Sequence, residues 1–200
     1  MPYYCHGVPP VFLSLRAFLA VMMLGLATAS CARPPQIVIL SPQLAGPPER
    51  IAEQRWVELS VRDDRGSKVI GSRGGADSDI TTQDDIGPGL TELLARKLEQ
   101  QGYTVVSTGT GGEVKLVVEL QELTYEMGGS VFTEITLSSS VGVICTKGGD
   151  TLTSRYRTNH REEFATVPDE EKNSELINMV VGKSLDQMLD DEELRDFMSK

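Results

Sequence analysis

EVKLVVELQELTYEMGGSVFTEITLSSSVGVICTKGGDTLTSRYRTNHREEFAT, residues 113–166, sets the fold. Val114, Leu116, Val118 and Leu120 alternate with Lys115, Glu119 and Gln121, the period of a half-buried strand. The phase then shifts to Leu123, Tyr125 and Met127, which predicts a β-bulge near Gln121. Gly128-Gly129 turns the chain. Val131, Ile135, Leu137, Val141, Val143 and Cys145 share one parity, and Glu134, Thr136, Ser138 and Ser140 share the other. Gly148-Gly149-Asp150 is a second tight turn. Leu152, Tyr156 and Phe164 then alternate with Arg155, Arg157, Asn159 and Arg161. Consecutive long strands joined by short turns predict an antiparallel meander with one apolar face, which helices must cover.

Working outward, two helices are written on either side of this meander. Ile86, Leu90, Leu93, Leu94 and Leu98 form a helical stripe. Asp84 or Asp85 can cap its start, Pro88 suits the first turn, and Gly102 suits its end. Tyr103–Ser107 reads as a strand. Pro168-Asp169-Glu170-Glu171 opens a second helix, with acids where the helix dipole favours them. Its buried stripe is Leu176, Ile177, Val180, Val181, Ser184, Leu185, Met188 and Leu189, and a short last helix uses Leu194 and Phe197. Nearer the N-terminus, Arg55–Arg62 alternates as a strand, Asp63–Gly66 is a turn, and Val69–Gly71 is a short strand or return. Residues 71–85 read as a flexible loop. The expected fold is therefore α+β: a two-layer sandwich with a mostly antiparallel sheet of four to six strands and two main helices on one face.

The first thirty residues read differently. No acid precedes Glu49, and Arg16 is followed by the apolar run Ala17–Ala27. Eleven residues are too few to span a bilayer, which takes roughly 20. A cation, a short apolar core and small residues describe a signal peptide over residues 1–30. Two cleavage readings compete. Ala27-Thr28-Ala29 suits ordinary signal peptidase and a soluble periplasmic product. Thr28-Ala29-Ser30-Cys31 resembles a lipobox, with Thr28 where Leu is usual, and makes Cys31 the acylated residue. Cys31 ends the apolar run and is followed by a Pro-rich stretch, which favours the lipid anchor. Residues 31–54 then form the anchor and a tether containing Pro34, Pro35, Pro42, Pro47 and Pro48. Within it, Gln36–Leu40 is a candidate edge strand stopped by Pro42. Residues 55–200 form a single domain.

The 200 residues carry 19 Lys and Arg against 29 Asp and Glu, a formal charge of −10. Such acidity argues against nucleic acid as a partner, because phosphate binding needs a basic patch. Cysteine and histidine are scarce. Cys5 leaves with the signal peptide, Cys31 is the lipid site, and Cys145 remains as a small core residue. His160 is the one histidine after residue 30. A triad or a zinc site would have to use it, so no catalytic residue, metal site or cofactor is expected. Asp77, Asp79 and Asp84 lack EF-hand spacing. Gly109, Gly111 and Gly112 precede a strand, not a helix, and so form a turn rather than a phosphate site. Asp190–Glu193 reads as a polar helix junction. Asp63, Arg65 and Arg73 suggest a structural ion pair or a partner contact.

Cys31-Ala32-Arg33-Pro34-Pro35, Ile37–Leu40 with Ser41-Pro42, Val61–Arg65, Ile70–Arg73, Leu98–Tyr103 and Glu193–Phe197 occur in an order and spacing that resembles YajG-type bacterial lipoproteins. The resemblance runs over residues 31–200. It implies a lipid-anchored, periplasm-facing protein of the outer-membrane type with no established activity or ligand. Ala32 agrees with outer-membrane sorting, since Asp at that position is the usual inner-membrane retention signal. The expected partners are the membrane, through a palmitate-bearing Cys31, and another envelope protein. Lys115, Glu119, Glu134, Arg155 and Arg157 fall on the strand face away from the helices, so Arg155 and Arg157 are the candidate partner contacts. The competing reading is a periplasmic binding module for a muropeptide or lipid, which would need an apolar pocket between helices and sheet.

Overall fold

The computed structural model describes residues 34–45, 55–75 and 77–199. Cys31 and residues 1–30, read above as a signal peptide, lie outside the described residues. The strands are β1 Gln36–Val38, β2 Trp56–Asp63, β3 Val69–Ser72, β4 Asp79–Thr82, β5 Thr104–Val106, β6 Val114–Gly128, β7 Thr133–Lys147 and β8 Asp150–Phe164. The helices are α1 Gly87–Gln100, α2 Glu170–Asp190 and α3 Glu192–Ser199.

The α+β class stands, but the expected sheet does not. Among the described residues eight strands replace four to six, and they form a mixed sheet, not a mostly antiparallel one. Four of the seven pairings are parallel: β1–β4, β2–β5, β2–β6 and β3–β6. Antiparallel pairing is confined to β3–β4 and the β6–β7–β8 meander. The long β6 explains this. One of its edges pairs along its whole length with β7. Its other edge is shared end to end, the first half by β2 and Tyr125 by Gly71 of β3. The turn after β2 therefore does not fold the chain back on itself, and Asp64 donates its N–H to the Leu120 carbonyl at 3.0 Å. Gly71 permits the second joint, since a Cβ there would lie 1.9 Å from the Tyr125 carbonyl oxygen.

Other local readings meet the structure more closely. The register of β6 against β7 shifts between Leu120 and Glu122, the bulge expected at Gln121. Gly102 has φ +100° and ends α1, with its N–H on Glu99 and that of Tyr103 on Leu98, a Schellman pair. The first turn of α1 is different: Ile86 is the N-cap without a side-chain bond, and Asp85 accepts from Gly87 N–H at 3.0 Å instead. Asp169 caps α2 by accepting from Lys172 N–H at 2.8 Å. Residues 71–85 are not all loop, because β4 buries Ile80 in the sheet. Val131 is not a strand residue and stands outside the core.

Both main helices cover the same sheet face, as the sequence implies. Leu90, Leu94 and Leu98 of α1 and Leu176, Ile177, Val180, Val181 and Leu185 of α2 join one core with Val57, Leu59, Leu116, Val118, Val141 and Val143. The N-terminal part of the Pro-rich stretch belongs to this layer. Val38 and Leu40 are buried, and residues 41–45 form a strap along α2. Ser41 N–H donates to Asn178 at 2.7 Å, Ala45 N–H to Asp186 at 3.0 Å, and Lys97 to the Ala45 carbonyl at 2.6 Å. A buried polar knot joins β1 to α2: Asn173 donates to Gln36 at 3.2 Å and accepts from the Tyr125 hydroxyl at 3.0 Å.

Candidate functional site

The sheet face opposite the helices carries charged side chains of the long strands, with Val117 and Ile144 in a row between Ser60 and Thr153. Register places Glu58, Lys115, Thr146 and Thr151 in one row, and Arg62, Glu119, Gly142 and Arg155 in another. Glu122, Ser140 and Arg157 form a third, Glu126, Thr136 and Arg161 a fourth. Lys115, Glu119, Glu134, Arg155 and Arg157 thus share one face, as the strand parity implies. Arg157 meets Glu122 at 3.2 Å, and Arg161 pairs with Glu134. Exposed pairs of this kind contribute about 0–1 kcal/mol each, so they shape the surface more than they hold the fold. Gln121, at the bulge, lies across Gly142, whose Cβ would sit 2.2 Å from the Gln121 amide nitrogen. The sequence signal for this contact was a glycine inside a strand. The arrangement offers both signs of charge across one face, a pattern suited to charge complementarity with a partner.

The remaining named groups make contacts within the domain. The turn at Gly109–Gly112 closes over a carboxylate of this chain: Gly109 N–H donates to Glu58 at 2.9 Å. That bond, outweighing burial and aided by Lys115 and the Gly112 and Gly111 amides, holds Glu58 below its usual range. Asp63 grips Arg65 through two bonds of 2.7 Å, and Arg65 also donates to Thr82 at 2.8 Å. Arg73 reaches Glu170 of α2 at 3.0 Å. Asp84 binds Lys68 at 2.8 Å. Asp191 caps α3 through Glu193 N–H at 2.8 Å and accepts the Tyr156 hydroxyl at 2.6 Å. Burial and this bond push the Tyr156 phenol above its ordinary range.

His160 is half-buried on the helix side of β8, 3.1 Å from Glu162. Cys145 is fully buried, and burial pushes its thiol up to about 11. Among the described residues no group of three His, Cys, Asp or Glu side chains could hold a metal, and no helix is long and apolar enough to cross a membrane. An open groove of about 640 Å³ runs between the strap and α2, lined by Ser41, Leu44, Ser174, Asn178, Met179 and Asp186 among others. It lies outside α2, not between helices and sheet.

A mixed sheet backed by helices on one face, with an open charged face on the other, defines a small α+β domain. Residues 42–199 match the model of a family of uncharacterized lipoproteins. The chain belongs to this YajG-type lipoprotein family. No curated protein matches it. Its fold is similar to the crystal structure of a Xanthomonas campestris protein from a family of unknown function, with a TM-score of 0.51 and 10% identity over 77% of this chain and 92% of that one. A minor lipoprotein of Acinetobacter baumannii is similar at a TM-score of 0.43 and 15% identity, over 74% of this chain and 97% of that one.

Proposed function

We propose that this lipoprotein is a non-catalytic accessory of the bacterial cell envelope. Cys31 carries the acyl chains, palmitate among them, at the periplasmic side of the outer membrane. The open sheet face, with Arg155 and Arg157, docks another envelope protein. The observation that carries this reading is that face itself: both main helices lie on the other side, so the charged rows are left for a partner. The groove along α2 favours a small ligand less, because it lies open to solvent outside the helix and not enclosed between helices and sheet.

A photo-cross-linking side chain at Thr153, in cells, tests the docking. A discrete adduct that Arg155→Glu with Arg157→Glu abolishes is expected. An adduct unchanged by the reversal overturns the docking role. Palmitate labelling of wild type and Cys31→Ser tests the anchor separately, and an unlabelled wild type overturns it.

A further inference from the structure

The turn between β6 and β7 is uncharged from Gly128 to Thr133 and presents Val131 and Phe132, 82% and 56% exposed. Its shape is built in. Gly129 has φ +93°, and a Cβ there would lie 2.0 Å from the Phe132 carbonyl oxygen.

Strand direction sets where the N-terminal chain enters. Gln36, Ile80, Gly71 and Tyr125 are register partners across β1, β4, β3 and β6. β1 is parallel to β4, β4 antiparallel to β3, and β3 parallel to β6, so β1 runs against β6. The chain therefore enters β1 from the end toward which β6 runs on to Gly128. Contacts tie the same end together. Gln36 donates to the Glu170 carbonyl at 2.7 Å, Arg73 binds the Glu170 carboxylate at 3.0 Å, and a Cβ on Gly74 would lie 2.4 Å from the Met127 methyl. Cys31 precedes Gln36 by five residues, a reach of at most about 18 Å. From Tyr125 to Gly128 the strand advances about 10 Å. An acyl chain on Cys31 and the Val131–Phe132 turn are thus within reach of one surface.

We infer that the Val131–Phe132 turn rests in the headgroup–acyl boundary of the membrane that holds the anchor, its partner being a phospholipid surface. The inference rests on the acylation of Cys31 proposed above. The anchor makes this contact intramolecular, so two apolar side chains suffice. The acidic domain supplies no attraction to anionic lipid, so apolar area carries the contact. The Gly148–Gly149 turn then points away from the membrane.

The test uses the full acylated chain in phosphatidylcholine vesicles, labelled with an environment-sensitive fluorophore at Ser130→Cys or, at the opposite end of the meander, Asp150→Cys. Cys145 is buried and does not compete for label. Expected at 130 are a blue shift and quenching by brominated lipid, both lost on adding Val131→Ser and Phe132→Ser. The label at 150 shows neither. Vesicle-bound protein in which 130 and 150 behave alike overturns the inference. A blue shift at 130 without bromolipid quenching overturns it too, since protein then covers the turn. Protein that does not float with vesicles removes the anchor, and the inference with it.

Discussion

Arg65 shows how a single pair is held at the foot of β2. Its side chain is only 3% exposed, and Asp63 supplies its countercharge. The hydrogen bond from Arg65, outweighing burial, holds the Asp63 carboxyl below its usual range. Asp63→Asn leaves the guanidinium buried with a weaker, uncharged acceptor, and a loss of about 1.5–3 kcal/mol, the worth of hydrogen bonds to a charged group, is expected in urea unfolding at neutral pH. The sign of the pH dependence follows. A carboxylate lowered in the folded state contributes stability above its unfolded value, about 3.9, and loses it as pH falls through the lower folded value. Wild type should therefore lose more stability than Asp63→Asn between pH 5 and strongly acidic pH. Parallel slopes in the two proteins would refute the assignment. The sequence offered Asp63, Arg65 and Arg73 as one cluster. The structure separates them, because Arg73 turns to Glu170 on α2, 97 residues away, and no local spacing encodes that partner.

At the scale of elements, what was legible was what is local. The α1 stripe, its Gly102 stop and the Gln121 bulge are periodicities and punctuation within a few residues. β4 was hidden because Ile80 is its one large apolar side chain, set among Asp79, Thr81 and Thr82. Parallel pairing was hidden for another reason. Val57, Leu59 and Val61 alternate identically whether β2 pairs parallel or antiparallel, and the turn at Asp63–Gly66 suggested a return. The strap was disguised by composition: Pro42 reads as spacer, yet it is buried beside Gly182, where a Cβ would lie 3.5 Å from its ring. Val38 and Leu40 in β1 and its extension are core residues. Each contributes about 1.5–3 kcal/mol by burial, and the Gln36–Asn173 bond adds to this. A chain starting at residue 46 should therefore be less stable than one starting at residue 33 by about 4 kcal/mol, measured by chemical denaturation. Equal stability would make residues 36–45 a mere spacer.

At the scale of the whole molecule, the open face was legible as strand parity, while the pairing that sets Arg62 beside Glu119 and Gln121 across Gly142 was not, because cross-strand register is set by the parallel β2–β6 joint and the bulge. Charge decides how such a domain can meet a membrane. Residues 31–200 hold 18 cations and 29 acids once Arg16 is removed, so 18 − 29 gives −11. A domain of that sign is repelled by anionic headgroups within a Debye length, about 8 Å at physiological salt. Salt screens this repulsion and leaves apolar contacts nearly untouched. Attachment through acyl chains should therefore survive a high-salt wash, with retention equal or slightly higher as ionic strength rises. The Cys31→Ser protein should stay unbound to vesicles containing phosphatidylglycerol at low salt, where a basic patch would act most strongly. Flotation of both proteins at low and high ionic strength measures this. A fraction of wild type released by salt would mean that local cations, Arg155 and Arg157 first among them, contact lipid instead of protein, and would turn the open face toward the membrane.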